Sequence, residues 1–248
     1  MSFANKIAIV TGGSRGIGAA IARKLAEGGA TVAVVYKSNV EQANSVVESI
    51  EKAGGTAAAF AADASDRTAT RHAVGAIVKR FGHVDILVNN AGVFEARGFD
   101  EIDAEHVSRV FSANMDSVLI MTQAVVPYMP PEGGRIVNVS TNLIYAPRPG
   151  TGIYSASKAA VSVLTNAFAK ELGPRGITVN AVAPSMTNTD MTAATPDARR
   201  QAVKAGTPSG RIGEPGDIAD VVAFLASEAS RWITGRTLLT DGGLTDAL

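Results

Sequence analysis

Short apolar runs alternate along this chain with longer segments of helical periodicity. The runs are apolar on both faces, which is typical of parallel strands covered by helices on both sides. Predicted strands lie at Ile7–Val10, Thr31–Tyr36, Thr56–Ala61, Asp85–Val88, Arg135–Val139, Thr178–Val182 and Thr237–Thr240. This alternation indicates an α/β fold, a doubly wound parallel sheet of about seven strands with helices on both faces. No linker or repeat interrupts it, so a single domain is predicted over residues 1–248.

Helical periodicity fills the segments between the strands. The first helix is predicted from Ile17 to Ala26, and Gly28 and Gly29 end it. Further helices are predicted over 41–53, 66–81, 153–172 and 215–226, with two more within 101–130. Residues 184–210 are polar and irregular, with at most a short helix. So long an irregular connection indicates a lid over a substrate site.

Composition narrows the possible function classes. The chain is 46% hydrophobic and 19% charged, and 23 basic side chains balance 23 acidic ones, which disfavours nucleic-acid and membrane partners. There is no cysteine, and His72, His83 and His106 lack metal-ligand spacing. We therefore expect no metal and expect these histidines to be polar residues at the surface or at helix ends. Without a signal peptide or an apolar run of about 20 residues, a cytoplasmic protein is expected.

The first chemical motif follows the first strand. Residues 11–18 read Thr-Gly-Gly-Ser-Arg-Gly-Ile-Gly, so Gly12, Gly16 and Gly18 occupy the turn into the first helix. Glycine permits a sharp turn and lets a pyrophosphate approach the main chain. The helix N-terminus adds free N–H groups and partial positive charge. In this strand–turn–helix context the motif predicts a Rossmann-type dinucleotide site rather than an ordinary glycine-rich turn.

The second motif combines a phenol with an ammonium. Tyr154 and Lys158 are four residues apart in a predicted helix, so they project from one face. A free phenol has a pKa of about 10, and the neighbouring ammonium is expected to lower it. Tyr154 can then exchange a proton with a carbonyl or alcohol oxygen while hydride is transferred. Taken alone, a Tyr-x-x-x-Lys pair is more often part of an ordinary surface helix.

These motifs, in this order, resemble those of the short-chain dehydrogenase/reductase family. Thr11–Gly18 matches its Thr-Gly-x-x-x-Gly-x-Gly motif, Asn89–Gly92 its Asn-Asn-Ala-Gly motif, and Tyr154 with Lys158 its catalytic pair. The resemblance covers essentially the whole chain and implies a nicotinamide-dependent oxidoreductase. The residues expected to contact the cofactor are Gly12, Ser14, Arg15, Gly16, Ile17, Gly18, Tyr36, Lys37, Ser38, Asp63, Asn90, Ala91, Gly92, Tyr154, Lys158, Pro184, Thr187 and Thr189.

Charge near the end of the second strand favours NADP(H) as the cofactor. A dinucleotide without a 2′-phosphate is usually held there by an acid. Tyr36 stands where NAD-selective family members carry Asp, and Arg15 and Lys37 add positive charge. Cations attract a phosphate; the alternative is that both are merely solvated. Asp63 resembles the family residue that bonds the adenine amino group, with a helix cap before Asp66 as the alternative.

The resemblance implies further catalytic residues, with two departures from the family pattern. The family serine thirteen residues before the tyrosine is here Thr141, preceded by Ser140. Threonine keeps the hydroxyl donor, and Ser140 is expected to face the other side of the strand. Asn114 resembles the residue that holds a water behind the lysine, with an ordinary helix polar residue as the alternative. Thr189 matches the residue that bonds the nicotinamide carboxamide, although Ser185 replaces the family glycine before it.

Among family branches, the chain most resembles 3-oxoacyl-carrier-protein reductases and related carbonyl or sugar dehydrogenases. An acidic carrier protein calls for cations at the site mouth, but residues 128–132 read Tyr-Met-Pro-Pro-Glu, although Arg175 is retained. We therefore expect a small free ketone or aldehyde as substrate. A carrier-bound thioester, a sugar or polyol, and a non-catalytic NADP-binding regulator stay open. Substrate-pocket candidates by position are Val93, Phe94, Leu143, Ile144, Tyr145, Arg148, Ser185 and Met186; Arg148 is expected to face solvent.

Assembly is also implied by the resemblance. Family members of this length are usually tetramers that use their long helices and C-terminal strand, so a homotetramer is expected. The apolar segment 232–248 fits a buried end of the chain.

Overall fold

The strands and helices alternate as the sequence predicts in the computed structural model, which describes residues 1–246. The elements are β1 (Ile7–Thr11), α1 (Gly16–Glu27), β2 (Thr31–Tyr36), α2 (Val40–Lys52), β3 (Thr56–Ala61), α3 (Arg67–Phe81), β4 (Ile86–Asn89), α4 (Ala104–Phe111), α5 (Ser117–Val125), β5 (Gly134–Val139), α6 (Gly152–Leu172), β6 (Ile177–Pro184), α7 (Asp197–Gly206), α8 (Pro215–Ala226) and β7 (Thr237–Thr240). Every predicted strand and helix boundary lies within two residues of its observed position.

All seven strands form one parallel sheet in the order β3-β2-β1-β4-β5-β6-β7. One face buries α1, α2 and α8 against Val10 and Val34, and the other buries α3, α5 and α6 against Ile9 and Leu87. Strand order reverses between β1 and β4, which opens a crevice at the carboxyl ends of those strands. The predicted doubly wound sheet is confirmed. Its crevice lies at the end of β1, where the glycine motif begins.

The structure departs from the prediction over residues 184–210. A ten-residue helix, α7, occupies Asp197–Gly206 where irregular chain with at most a short helix was expected. Val203 is its one buried residue, so few apolar side chains mark the helix in the sequence.

A chain of buried polar side chains ties two helices to the sheet. The Asn89 Nδ2 donates to Asn138 Oδ1 at 2.9 Å and to Thr122 Oγ1 at 3.2 Å, and the Asn138 Nδ2 donates to Thr165 Oγ1 at 2.8 Å. All four residues are buried. Because an unpaired buried amide is costly, these bonds favour one register of α5 and α6 against β4 and β5.

Trp232 is almost fully exposed in the single chain, at 97%. The expected burial of segment 232–248 concerns the assembled protein and stays a prediction; Ala247 and Leu248 lie outside the described residues. Among residues 1–246, no helix combines the length and apolarity needed to cross a bilayer.

His106 was expected at the surface or at a helix end; it lies in the first turn of α4, at a helix end, but it is buried. It lies on α4, only 1% exposed, and neither ring nitrogen has a hydrogen-bond partner in the described structure. The reason is its position on the helix: His106 and Val110, four residues apart, share the buried face of α4.

We expect His106→Leu to raise the free energy of unfolding by about 1–2 kcal/mol, because a buried polar group without partners is replaced by an apolar one. The measurement is chemical denaturation. His72→Leu, at an exposed position of α3, controls for the general effect of leucine in a helix. A loss of stability relative to that control contradicts the prediction.

Candidate active site

The turn between β1 and α1 is built from glycines because its backbone is crowded. Gly12 and Gly16 have φ of +62° and +52°, a region that favours glycine. A Cβ on Gly18 would overlap the Gly12 carbonyl oxygen and lie 2.5 Å from Asn90 Nδ2. Helix α1 begins without a side-chain cap and without an acid in its first turn. Bare main chain beside an uncapped helix N-terminus fits the pyrophosphate of a dinucleotide.

The segment after β4 braces this turn. The Thr11 hydroxyl oxygen accepts hydrogen bonds from the backbone N–H groups of Asn90 and Ala91, both at 3.0 Å. In return, the Asn90 side-chain amide donates to the carbonyl oxygens of Thr11 and Gly12 at 2.9 and 3.2 Å. Sequence reasoning missed the role of Thr11, although Thr11 opens the glycine motif. The Asn-Asn-Ala-Gly segment thus holds the glycine turn in place as well as lying beside it.

Lys37 and Asp63 form an ion pair at the ends of β2 and β3, with 2.6 Å between Nζ and Oδ2. The other Asp63 oxygen accepts from the Ser65 N–H and hydroxyl. Asp66, not Asp63, caps α3, because its carboxylate accepts from the N–H groups of Thr68 and Ala69. The helix-cap alternative for Asp63 is therefore wrong, and Lys37 is not simply solvated.

A cavity of about 380 Å³ adjoins the glycine turn. Ser14 and Arg15 line it together with Gln42 of α2 and Asn188 and Thr189 of the predicted lid. Within residues 1–246, no carboxylate forms an ion pair with Arg15. Arg15 therefore remains an uncompensated cation beside the cradle.

Tyr154 and Lys158 lie on consecutive turns of α6, as predicted. The Tyr154 ring is partly buried, and the edge-on ring of Phe94 packs against it with 4.9 Å between centroids. Lys158 is 4% exposed, and its Nζ donates to the Val139 carbonyl oxygen at 2.8 Å. The end of β5 thus holds the ammonium close to the phenol-bearing turn.

Burial sets the pKa of both groups. It raises the pKa of the Tyr154 phenol to about 12, although a hydrogen bond with Thr141 opposes the shift. It also lowers the pKa of Lys158 to about 8. The expectation that the ammonium lowers the pKa of Tyr154 is wrong for this structure, because desolvation disfavours the charged form of each group.

Thr141 and Ser140 face different partners, as the alternation of a strand predicts. Thr141 lies near enough to the Tyr154 phenol to lower its pKa, and its Oγ1 accepts from the Leu143 N–H at 3.3 Å. The Ser140 hydroxyl instead donates to the Lys158 carbonyl oxygen at 3.0 Å and lies 3.0 Å from Ser162 Oγ. Thr141 is therefore placed toward the phenol, and Ser140 toward the α6 backbone.

Asn114 is fully buried in a π-helical segment, Ser112–Asp116, between α4 and α5. Such segments often occur at functional sites. The Asn114 side chain accepts from the Val93 N–H at 2.8 Å and donates to the Val93 carbonyl oxygen at 3.1 Å and to Ser157 Oγ at 3.0 Å. A Cβ on Gly92 would lie 2.8 Å from Asn114 Oδ1 and 3.2 Å from Lys158 Nζ. Gly92 therefore leaves space between the amide and the ammonium.

Aromatic and apolar side chains border Tyr154. Phe94 and Tyr145 are 40% and 50% exposed, whereas Leu143 is buried. The loop that carries Phe94 is tied to the segment before α6 by the bond from the Arg97 N–H to the Gly150 carbonyl oxygen. Arg148, expected to face solvent, is partly buried, and its Nε is enclosed without a partner.

The segment after β6 covers the glycine turn. Thr187 is buried, and its hydroxyl donates to the Ser185 carbonyl oxygen. A Cβ on Gly16 would lie 3.1 Å from the Thr189 methyl carbon. The predicted cofactor residues after Pro184 therefore meet the glycine turn from the opposite side.

One residue between Tyr154 and Lys158 was missed by sequence reasoning. The Ser157 hydroxyl donates to the Tyr154 carbonyl oxygen at 2.7 Å and accepts from Asn114. A hydroxyl on the buried side of α6, next to the lysine, is the signal that could have indicated it.

Comparison with known proteins assigns the fold and the family. A family profile described as "Enoyl-(Acyl carrier protein) reductase" matches residues 12–245. The chain is 44% identical to an uncharacterised oxidoreductase of Methylorubrum extorquens, over 96% of this chain and 97% of that protein. It is 40% identical to a 3-oxoacyl-[acyl-carrier-protein] reductase of Staphylococcus aureus, over 96% and 98%.

A solved structure agrees with these sequence matches. A short-chain dehydrogenase from Burkholderia cenocepacia, in complex with NADP, superposes with a TM-score of 0.93 at 41% identity, covering 98% of this chain and 99% of that one. The seven-stranded sheet and the motifs at its carboxyl edge agree with these matches. The chain belongs to the short-chain dehydrogenase/reductase family of oxidoreductases.

Proposed function

We propose that this chain is an NADP(H)-dependent oxidoreductase that interconverts a small free ketone or aldehyde and the corresponding alcohol. The observation that carries the proposal is the Tyr154 phenol, which lies beside Thr141, packs against Phe94 and is one turn from Lys158. We assign both cofactor binding and catalysis to one domain, residues 1–248.

Each catalytic side chain has a distinct role in this proposal. NADP(H), when bound, supplies or accepts the hydride. Thr141 donates a hydrogen bond to the substrate oxygen, and Tyr154 transfers a proton to it in reduction or removes one in oxidation. A pKa of about 12 keeps the phenol protonated at neutral pH, which suits proton donation. Lys158 would hold the nicotinamide ribose of the bound cofactor, and Asn114 would hold a water behind the lysine.

The choice of NADP(H) rests on charge. The end of β2 carries Tyr36, Lys37 and Ser38 rather than an acid, although Lys37 is paired with Asp63. Arg15, beside the glycine turn, forms no ion pair within residues 1–246. A guanidinium in this position attracts a 2′-phosphate. The Burkholderia cenocepacia relative, which was crystallised with NADP, supports the same choice.

The choice of a free substrate rests on the cations near Phe94, which already have partners. Arg97 pairs with Asp103, and Arg109 binds Glu95 through two nitrogens. Arg175 precedes β6 at the opposite end of the sheet, where it donates to the Val126 carbonyl oxygen. Segment 95–105 carries five carboxylates and one arginine. An acidic carrier protein would be repelled there. The carrier-protein reductase remains the second candidate, because a relative with that activity is 40% identical.

We also propose a homotetramer, in which other copies cover surface that the single chain leaves exposed. The exposed Trp232 and the edge strand β7 support association at this end of the sheet.

The function is tested by following NADPH and NADH oxidation with an acetoacetyl thioester, a free 3-oxo ester, diketones and aryl ketones, and with aldoses in the oxidative direction. We expect NADPH-dependent turnover of free ketones. Tyr154→Phe should bind NADPH but lose about 10²–10⁴-fold in kcat. A strong preference for the thioester would instead support the carrier-protein reductase. Binding of NADPH without turnover of any carbonyl compound would support the non-catalytic regulator.

Thr141 and Ser140 give a matched comparison within the site. We expect Thr141→Ala to lower kcat about 10²-fold or more, because a donor to the substrate oxygen is lost. Thr141→Ser should keep most of the activity. Ser140→Ala should lower kcat less than Thr141→Ala, because Ser140 bonds the α6 backbone instead. The reverse ranking would overturn the assignment.

The buried Lys158 predicts a pH dependence of stability. Its pKa is about 8 in the folded chain against an ordinary 10.5, so between these values the unfolded chain holds the extra proton and folding is favoured as pH rises. Relative to Lys158→Met, wild-type stability should increase by about 3 kcal/mol from pH 8 to 10.5. Denaturant titrations measure it, with the exposed Lys170→Met as control; identical slopes for the wild type and Lys158→Met would refute it.

A further inference from the structure

We propose that Asp63 is a cofactor-specificity residue: it holds the Lys37 ammonium in an ion pair, withholds it from the 2′-phosphate of NADP(H), and leaves Arg15 to supply most of the selectivity. This inference rests on the nucleotide-binding half of the proposed function. It does not depend on which carbonyl compound is reduced.

The topology of the sheet brings Lys37 and Asp63 together. Tyr36 and Ala61 are paired at the ends of β2 and β3, and the Ala62 N–H donates to the Tyr36 carbonyl oxygen at 2.8 Å. Lys37 and Asp63 follow directly from these positions. Their pairing is therefore fixed by two adjacent strands, and the cation meets its carboxylate in the absence of any phosphate.

Asp63 is held in place more firmly than Lys37. One carboxylate oxygen accepts from the Ser65 N–H and hydroxyl at 3.0 and 2.7 Å, and the other lies 2.6 Å from Lys37 Nζ. The Asp63 side chain is 33% exposed, but that of Lys37 is 73% exposed. The carboxylate is thus an anchored group, and the ammonium is the mobile partner that it holds.

The pair is neutral at physiological pH. Burial raises the pKa of the Asp63 carboxyl, but hydrogen bonds from Lys37 and Ser65 lower it further, so its pKa stays below the ordinary value. A phosphate that approaches Lys37 therefore meets a carboxylate as well as an ammonium. Arg15 forms no ion pair among the described residues, although Asp190 lines the same cavity.

The binding of NADPH and NADH to the full chain, measured by calorimetry without a carbonyl compound, tests the proposal. The two cofactors differ only in the 2′-phosphate. The ratio of their dissociation constants therefore cancels any change in adenine binding. For Asp63→Asn we expect the preference for NADPH to rise about threefold to fivefold, in line with the worth of a partly exposed ion pair.

Three further variants show whether the effect passes through Lys37. In Asp63→Asn/Lys37→Met the gained preference should disappear. Lys37→Met alone should change the wild-type preference less than about twofold, because that cation is already neutralised. Arg15→Gln should reduce the preference most.

A preference that is unchanged or reduced in Asp63→Asn would overturn the proposal, as would an increase that survives Lys37→Met. If Asp63→Asn does not fold, a large loss of preference in Lys37→Met alone overturns it as well. Failure of the wild type to bind either cofactor would instead refute the proposed function. If the wild type binds the cofactors but the variants leave the ratio of the NADPH and NADH dissociation constants unchanged, only the role of Asp63 is refuted.

Discussion

The crowded contact between the glycine turn and Asn90 is the constraint on which the rest of the site depends. Gly18 has no room for a Cβ beside the Gly12 carbonyl and the Asn90 amide. This contact, at the point where strand order reverses between β1 and β4, fixes the segment after β4 against the turn. Two residues further on, Gly92 lies beside both Asn114 and Lys158. A single run of backbone therefore connects the glycine turn with Lys158.

Desolvation, rather than charge pairing, governs the chemistry of α6. Burial moves the pKa of Tyr154 up to about 12 and that of Lys158 down to about 8, so both neutral forms are favoured. The Lys158 ammonium keeps a partner in the Val139 carbonyl oxygen. The helix tolerates this burial because Asn138 and Thr165 anchor it to the sheet two turns further along. Rigidity deep in the core thus keeps a proton donor in place at the edge.

The sequence carried enough information for the fold and for the motif positions, because buried parallel strands and helix periods leave strong apolar patterns. Prediction from sequence failed where the position of a side chain in the fold does not follow from the apolar pattern around it. His106 reads as a polar residue, but the period of α4 buries it. Helix α7 buries only Val203 and is polar on average, so its sequence resembles that of an irregular segment. The pKa of Tyr154 depends on enclosure by distant segments, and the partner of Lys37 lies on a neighbouring strand 26 residues further along the chain. Contacts of this kind are set by topology, which local sequence does not encode.

The electrostatic effect of a charged side chain near the site depends on whether it has an oppositely charged partner, not on the total number of charges. Lys37 has Asp63, Arg97 has Asp103 and Arg109 has Glu95, so each of these cations is neutralised locally, as the balanced composition of the chain allows. Recognition of an anion then depends on the position where a carboxylate is missing, and beside the glycine turn that position is Arg15. The substrate side offers aromatic and apolar surface around Phe94 instead. The cavity beside the glycine turn thus contains two arginines, Arg15 and Arg23, that form no ion pair within residues 1–246, whereas acids outnumber bases in segment 95–105 next to Phe94.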